Sequence, residues 1–286
     1  MLDFSLELLL NKLEAMEHKL QKIENEMLEN RSKQEQSQKE MFTALKKFEH
    51  QIALNFSELQ QRIEKKIINN QYKQPSASSC KDIPTDVSGA YMIDLKNVGF
   101  SVPFRVYCEQ QAFDGGWIVI QYRYDGSLDF YRDWNEFRDG FGDLQKEFWL
   151  GLEKVHQITK GRRHELMIEL KDFAGTYKYA HYLTFEIGSE SEEYNLKRLG
   201  TYNGTAGNEM VMNDGRKFTT KDRDNDVYDE NCAQMYQGAW WHKQCTAANL
   251  NGLYINTINK TSMHWYDFKK GRHGLSYSGM MIRELD

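Results

Sequence analysis

The sequence predicts an α-helical coiled coil followed by a globular domain of the α+β class. Heptad-spaced apolar residues occupy the first quarter of the 286-residue chain. All 20 glycines and all 6 tryptophans lie at or after Gly89, and the first cysteine is Cys80. Beyond that point, short apolar segments alternate with glycine and aspartate, a pattern typical of strands and turns. We therefore place a coiled-coil multimerisation segment at residues 1–70, a linker at 71–79 and a globular domain at 80–286.

The first predicted element is a long amphipathic helix. Apolar residues recur at alternating spacings of three and four, lose this pattern between positions 29 and 40, and then resume it. A narrow apolar seam without glycine or proline favours homo-oligomerisation through this helix over folding back on the globular domain. The mixture of Leu, Met and Ile leaves dimer, trimer and tetramer open. The seam residues are Leu6, Leu9, Leu13, Met16, Leu20, Ile23, Met27, Met41, Leu45, Phe48, Ile52, Leu59, Ile63 and Ile67.

The globular domain begins after a linker marked by Pro75, a serine cluster and Pro84. The segments FRVYCEQ, GGWIVIQYR and HELMIELKDF have the composition of strands. Helices are predicted for DWNEFRDGFG and EFWLGLEKVHQIT. The aromatic residues that we expect in the core are Trp117, Trp134, Phe141, Phe148 and Trp149.

The charge pattern excludes two classes of partner. The formal net charge of −5 comes from well-mixed signs without a long basic block, so nucleic-acid binding and attachment to an anionic membrane have no electrostatic support. No run approaches the 18 or more apolar residues of a membrane span, so we expect no transmembrane segment.

The cysteines and sequons indicate an oxidising compartment. Four cysteines allow three pairings, and no CxxC pair points to zinc or a redox centre. Four Asn-x-Ser/Thr sequons occur, at Asn30, Asn55, Asn203 and Asn259, and the last two are the predicted glycosylation sites in the globular domain. We expect a secreted protein, although MLDFSLELLL carries acidic residues and does not resemble a signal peptide.

The segment from Asp222 to Gly252 contains three alternate aspartates, two cysteines and a pair of tryptophans. Asp222, Asp224 and Asp226 stand at alternate positions, where a tight loop can aim carboxylate oxygens at one calcium ion. An EF-hand is excluded, because the sixth and twelfth positions from Asp222 are valine and alanine.

Three motifs in this chain resemble the fibrinogen C-terminal domain family, which includes fibrinogen chains, ficolins, tachylectins and angiopoietins. They are NDVYDENCAQMYQGAWWHKQCTAANLNG, GGWIVIQYRYDGSLDFYRDWNEFRDGFG and EFWLGLEKVHQIT, and the similarity covers residues 76–286. The resemblance implies antiparallel sheets with short helices and a loop-rich calcium and recognition subdomain. It also implies two disulfides, Cys80–Cys108 and Cys232–Cys245.

The resemblance implies a calcium site and a neighbouring ligand pocket. The calcium ligands would be the side chains of Asp224 and Asp226 and the main-chain carbonyls of Tyr228 and Glu230. In lectin-like members an aromatic pocket holds an acetyl methyl group, and a cis peptide, here Gln244–Cys245, exposes main-chain N–H donors. The predicted ligand-binding residues are Tyr236, which matches the pocket tyrosine, and Gln244 and Cys245 of the cis peptide. Thr246 stands where lectin-like members usually have His or Arg. Trp241, Met263 and Trp265 are expected to form the apolar wall of the pocket.

The motifs support a binding function over catalysis. The chain lacks Gly-x-Ser-x-Gly, His-Glu-x-x-His and Walker-type sequences. We predict a calcium-dependent, lectin-like protein that binds acetylated or terminal glycans in innate immunity. The alternative is an angiopoietin-like ligand or matrix protein that binds a protein receptor. Fibrin-like assembly is disfavoured, because Tyr236 stands where the resemblance places an acid in fibrinogen's peptide pocket.

Overall fold

A computed structural model describes residues 2–73, 77–95 and 102–285. The chain divides into two compact units, residues 1–74 and 75–286. The first unit is α1, Leu2–Lys73, a continuous helix of 72 residues. At 1.5 Å per residue its length is about 110 Å. The helix also continues through positions 29–40, where the heptad pattern is lost.

The apolar seam of α1 is exposed in the single chain. Ile23 is 53% and Phe48 65% accessible, and the other described seam residues are similarly exposed. A long row of exposed apolar side chains is what a coiled-coil helix shows when its partner helices are absent. The side chains of Leu6, Leu9, Leu13, Ile63 and Ile67 lie outside the described residues. In the described part of the chain, no helix is long and apolar enough to cross a membrane.

The globular unit is built on a mainly antiparallel architecture with short helices, as the sequence predicts. The helices are α2, Trp134–Asp139; α3, Leu152–Thr159; α4, Cys232–Tyr236; and α5, Tyr266–Lys269. The strands are β1, Gly89–Ile93; β2, Phe104–Glu109; β3, Trp117–Arg123; β4, Phe141–Gly142; β5, Phe148–Trp149; β6, His164–Asp172; β7, Tyr177–Tyr182; β8, Phe185–Ile187; β9, Leu196–Leu199; β10, Tyr202–Gly204; β11, Ala248–Asn249; β12, His264–Trp265; and β13, Leu275–Glu284.

The main sheet places the C-terminal strand at its centre. Its order is β1-β2-β3-β13-β6-β7-β10, and β5 pairs with both β3 and β4. Every pairing in this sheet is antiparallel. β8 pairs with β9, and β11 pairs with β12, in two small sheets. Since β13 pairs with β3 on one side and β6 on the other, the end of the chain closes the fold.

Both predicted helical segments contain shorter helices than expected: the first ends in a strand and the second begins with one. Asp133 and Glu136 form a capping box at the start of α2, which stops at Gly140. Gly140 has a positive φ of 93°, and a Cβ there would lie 2.3 Å from the Leu150 carbonyl oxygen. This close approach lets Phe141–Gly142 and Phe148–Trp149 pair as β4 and β5 rather than continue as helix.

Aromatic side chains fill the core, as predicted. Trp117, Trp134, Phe148 and Trp149 are each at most 4% exposed, whereas Phe141 packs at the edge of the core. The expected disulfides are both formed. Cys80–Cys108 joins the start of the domain to β2 across 28 residues, and Cys232–Cys245 joins α4 to a following loop.

A buried polar cluster attaches the NLNG loop, residues 249–252, to one face of the sheet. The Gln121 amide donates to Asn251 Oδ1 at 2.8 Å and accepts from the Ser278 hydroxyl at 2.6 Å. Arg123 donates to the main-chain carbonyls of Leu250, at 3.1 Å, and of Gly252. Burial lowers the pKa of Arg123 to about 10, so the guanidinium stays charged at neutral pH. The cluster fixes the NLNG loop on the sheet.

Glu209, beside α5, predicts a pH dependence of stability. Its Oε1 accepts the Asp267 main-chain N–H at 3.0 Å. Burial and the Asp267 carboxylate raise the pKa of Glu209 from 4.5 to about 7. Because the folded-state pKa is raised, this contribution to stability is complete below pH 4.5 and is lost as the pH rises through about 7. We expect thermal denaturation to show a smaller loss of stability over this range in Glu209→Gln than in the wild type.

Glu186→Gln is the matched control for this prediction. Glu186 lies on β8 and pairs with the exposed Arg198 at 3.3 Å. This variant should keep the pH profile of the wild type. Parallel profiles for Glu209→Gln and the wild type would contradict the assignment to Glu209.

Candidate functional site

The acidic loop, residues 222–231, lies between the bridge at Thr219–Trp240 and α4. Its first aspartate has a structural role. Asp222 Oδ1 accepts the Thr220 hydroxyl at 2.7 Å and the Trp134 main-chain N–H at 3.0 Å. Asp222 therefore anchors the loop to the first residue of α2. The predicted calcium ligands in this loop are the other two aspartates.

Asp224 and Asp226 form a carboxylate pair that organises the loop. Asp226 Oδ1 accepts the Tyr228 N–H at 2.9 Å, and its Oδ2 accepts the Cys232 N–H at 3.0 Å. Asp224 Oδ1 accepts the Asp226 N–H at 3.2 Å. Burial raises the pKa of Asp226, and the neighbouring Asp224 carboxylate raises it further. Two carboxylates held this close repel each other unless a proton or a cation intervenes.

This pair fits a hard divalent cation. Calcium prefers carboxylate and carbonyl oxygens, and its charge would offset the repulsion between Asp224 and Asp226. Across residues 2–73, 77–95 and 102–285, no group of three or more His, Cys, Asp or Glu side chains is placed to hold a metal. A calcium ion here would therefore need main-chain oxygens, for which Tyr228 and Glu230 remain the predicted donors, together with water.

The second disulfide connects Cys232, which directly follows the acidic loop, to Cys245. Cys232 and Cys245 are almost fully buried, and their Cα atoms are 5.4 Å apart. The Val227 N–H donates to the Lys243 carbonyl at 3.3 Å, and the Lys243 N–H donates to the Cys245 carbonyl at 2.8 Å. The acidic loop is thus linked to residues 243–245 by a main-chain hydrogen bond and by the disulfide.

Tyr236 lies at the end of α4 under two cationic side chains. Its hydroxyl accepts a hydrogen bond from the Arg272 guanidinium at 3.0 Å. The Arg272 guanidinium carbon is 5.5 Å, and Lys260 Nζ 5.9 Å, from the centre of the Tyr236 ring. The ring is 7% exposed. Two positively charged side chains therefore lie above Tyr236.

Two neutral histidines flank the Tyr236 ring. The ring centres of His242 and His264 lie 6.0 and 6.3 Å from that of Tyr236. Burial lowers the pKa of each histidine to about 4. His242 Nε2 pairs with the Gly238 carbonyl and His264 Nδ1 with the Ser262 carbonyl. The second ring nitrogen of each has no hydrogen-bond partner among the described residues.

Three predicted ligand-binding residues are buried in the core of this structure. Trp241, Met263 and Trp265 are each 0% exposed. Trp241 Nε1 donates to the Tyr194 carbonyl at 2.8 Å, and Trp265 Nε1 donates to the Gly207 carbonyl at 3.0 Å. Burying large apolar side chains with their polar atoms paired is strongly favourable, and this decides their orientation.

The prediction of a cis peptide is wrong, because the Gln244–Cys245 bond is trans in this structure. A trans bond is the ordinary state of a peptide that does not precede proline. Thr246 instead closes a local turn, with its hydroxyl donating to the Ala248 carbonyl at 2.7 Å and accepting the Ala248 N–H at 3.1 Å. Gln244 is exposed and Cys245 is buried, so of this group Gln244 presents its side chain to solvent.

The two predicted glycosylation sites are accessible. Asn203 is exposed on β10, at the end of the main sheet. Asn259 is exposed, and its Oδ1 accepts the Thr261 N–H at 3.1 Å.

Sequence reasoning missed the cations above Tyr236. Arg272 lies 36 residues after Tyr236, within a GRHG segment that has only the signature of a turn. Lys260 lies three residues before Met263, one of the predicted ligand-binding residues. No local pattern brings either residue to the tyrosine.

The fold and the acidic loop together define a fibrinogen-like globular domain. Residues 77–285 match the family described as "Fibrinogen beta and gamma chains, C-terminal globular domain". The chain therefore belongs to the fibrinogen C-terminal domain family.

Known relatives and solved structures agree with this membership. Tenascin-R of Gallus gallus is 43% identical over 197 residues, which cover 69% of this chain and 14% of tenascin-R. Angiopoietin-related protein 1 of Homo sapiens is 40% identical over 211 residues, covering 72% of this chain and 42% of that protein. The chain thus spans less than half the length of either relative.

Two solved structures share the fold. The fibrinogen-like globe domain of human ANGPTL2 is 35% identical with a TM-score of 0.69, covering 72% of this chain and 98% of that one. A lamprey fibrin D-dimer complexed with the peptide Gly-His-Arg-Pro-amide is 28% identical with a TM-score of 0.65, covering 92% of this chain and 95% of that one.

Proposed function

We propose that this chain is an extracellular, non-enzymatic recognition protein whose fibrinogen-like domain binds an acidic protein partner, in the manner of an angiopoietin-like ligand or a matrix protein. The two disulfides support an oxidising, extracellular setting. The relatives named tenascin-R and angiopoietin-related protein 1 support this class over a lectin.

One observation carries the choice of an acidic partner: Arg272 and Lys260 lie above Tyr236. A carboxylate can pair with the planar guanidinium of Arg272, whose hydrogen bond to the Tyr236 hydroxyl holds it in place. The basic peptide named with the lamprey fibrin structure has the wrong charge for this surface. Burial of Trp241, Met263 and Trp265 removes most of the apolar wall that acetyl binding would need.

Calcium has a supporting role in this proposal. Asp224 and Asp226, with the carbonyls of Tyr228 and Glu230, would hold the ion, and the acidic loop would then be fixed against Lys243 and the disulfide. The ion would act by holding the acidic loop and residues 243–245 in a fixed conformation. It would not contact the partner.

The exposed seam of α1 supports an oligomer in which several domains act together. Joining sites that can engage at the same time raises apparent affinity by roughly 10²–10⁴ without any new contact. A weak site at Tyr236 is then sufficient for stable attachment to a surface that displays many copies of the partner.

Binding to two kinds of bead tests this proposal. Beads carrying a glutamate-rich peptide should retain the full chain at a fixed free calcium concentration. Acetylated beads competed with free N-acetylglucosamine should not. Arg272→Gln should bind the acidic beads about fivefold more weakly, the upper range for an exposed ion pair. The control Arg198→Gln, which removes an exposed arginine on β9, should bind like the wild type.

The opposite pattern would overturn the proposal. Retention on acetylated beads that N-acetylglucosamine abolishes, with no effect of Arg272→Gln, would establish the acetylated-glycan function as the correct one.

A further inference from the structure

A cavity of about 190 Å³ opens on the face of the main sheet that is opposite the NLNG loop. Successive side chains of a strand point to opposite faces. Gln121 and Ser278 face the NLNG loop, so their neighbours Tyr122 and Gly279 face the cavity. The cavity is therefore separate from Tyr236, whose carbonyl accepts from Asn249 in the NLNG loop.

A glycine at the centre of the sheet leaves room for this cavity. Gly279 on β13 lies in register with Tyr122 on β3 and with Glu169 on β6. A Cβ at Gly279 would lie 2.8 Å from the Tyr277 hydroxyl oxygen, so Tyr277 leans over the position that a side chain would occupy. The result is a hollow with tyrosine at two sides and a carboxylate at a third.

The polar lining of the cavity is acidic. Burial opposes ionisation of Glu109, but hydrogen bonds from the Ala112 and Gln111 N–H groups and from a serine hydroxyl outweigh it and hold its pKa below the ordinary value. Glu169 accepts the Tyr177 hydroxyl at 2.8 Å, and burial raises its pKa. The anionic form of Glu109 is thus stabilised by hydrogen bonds from its own loop. A cationic ligand would stabilise the anionic form of Glu169, which burial disfavours.

The tyrosine rings around Glu169 already attract a cation of the chain itself. Lys171 Nζ lies 5.2 Å from the Tyr277 ring centre and 6.0 Å from that of Tyr177. These distances are near the outer limit of a cation–π contact. Lys171 is exposed and does not line the cavity. Lys171 therefore lies beside the cavity without occupying it.

We propose that this cavity binds the side chain of a lysine or arginine from a protein partner. Val119, Phe148 and Met281 supply apolar walls for the methylene stem. The Glu169 carboxylate and the rings of Tyr122 and Tyr277, which pack edge to face with centres 5.7 Å apart, receive the cationic end. Ligand cavities for whole small molecules usually enclose about 300–1,000 Å³, so this volume suits one side chain.

Saturation-transfer NMR on the full chain tests the proposal with a lysine side-chain probe. Nα-acetyl-lysine methylamide should bind, and Nα,Nε-diacetyl-lysine methylamide, which lacks the charge, should not. Tetramethylammonium, which has the charge without the stem, should bind more weakly than the lysine probe.

Three variants make the test specific. Glu169→Gln should weaken binding of the lysine probe about tenfold, because a half-buried carboxylate attracts a cation more strongly than an exposed one. Glu186→Gln makes the same change in net charge on β8 and should have no effect. Lys171→Met removes the competing cation at the rim and should tighten binding, a gain that misfolding cannot produce.

Three results would overturn the proposal, the third being specific to the assignment to a protein side chain. One is equal binding of the charged and the doubly acetylated lysine probes. Another is unchanged affinity in Glu169→Gln. Equal affinity for tetramethylammonium and the lysine probe would overturn the assignment to a protein side chain.

Discussion

Replacing Trp241 with alanine is expected to lower the free energy of unfolding by about 4 kcal/mol, the usual cost of truncating a large buried aromatic residue. Trp241 is 0% exposed and packs edge-on against Phe218 and Trp240, with ring centres 5.1 and 5.2 Å away. Truncation would leave a cavity at the junction of these rings and would unpair the Tyr194 carbonyl. Chemical denaturation monitored by circular dichroism measures the loss.

Tyr266→Ala is the control for Trp241→Ala. Tyr266 is an aromatic residue on α5 that is 42% exposed, so its truncation should change stability little. If Trp241→Ala cost no more than this control yet lost ligand binding, Trp241 would belong to a binding pocket after all.

The double variant Cys232→Ser/Cys245→Ser is expected to have the second-largest effect. The disulfide closes a separation of 13 residues, and in the chain-entropy model its loss costs about 3 kcal/mol. Because the bond joins the acidic loop to residues 243–245, calcium affinity should fall as well. Denaturant unfolding and calcium titration of the double variant measure the two effects.

Gln234→Ser serves as the control for this pair, since it introduces a hydroxyl at an exposed position of the same helix and keeps both cysteines. A double variant with the stability and calcium affinity of this control would show that the disulfide does not brace the loop.

Local patterns were sufficient for much of the fold. Heptad spacing predicted α1, and alternating apolar runs predicted β2, β3 and β6. Composition placed Trp117 and Trp149 in the core, because large aromatic side chains are buried wherever their area can be removed from water.

The position of β13 and the orientation of Trp265 depend on long-range packing, so local sequence patterns could not predict them. The central position of β13 depends on pairing with strands more than 100 residues earlier, and no local pattern encodes that. Trp265 was assigned to the apolar wall of a ligand pocket on the basis of the family resemblance. Its orientation depends on the Gly207 carbonyl, which accepts its indole N–H. The cations above Tyr236 were missed for the same reason.

Calcium titration of the wild type by isothermal calorimetry, beside Asp226→Asn and the control Asp229→Asn, tests the central claim most directly. The claim is that the Asp224–Asp226 pair binds a cation, which fixes the conformation of the acidic loop and of residues 243–245. It predicts saturable calcium binding that Asp226→Asn abolishes and that Asp229→Asn, an exposed change in the same loop, retains. Absence of binding in the wild type, or equal binding in all three proteins, would contradict it.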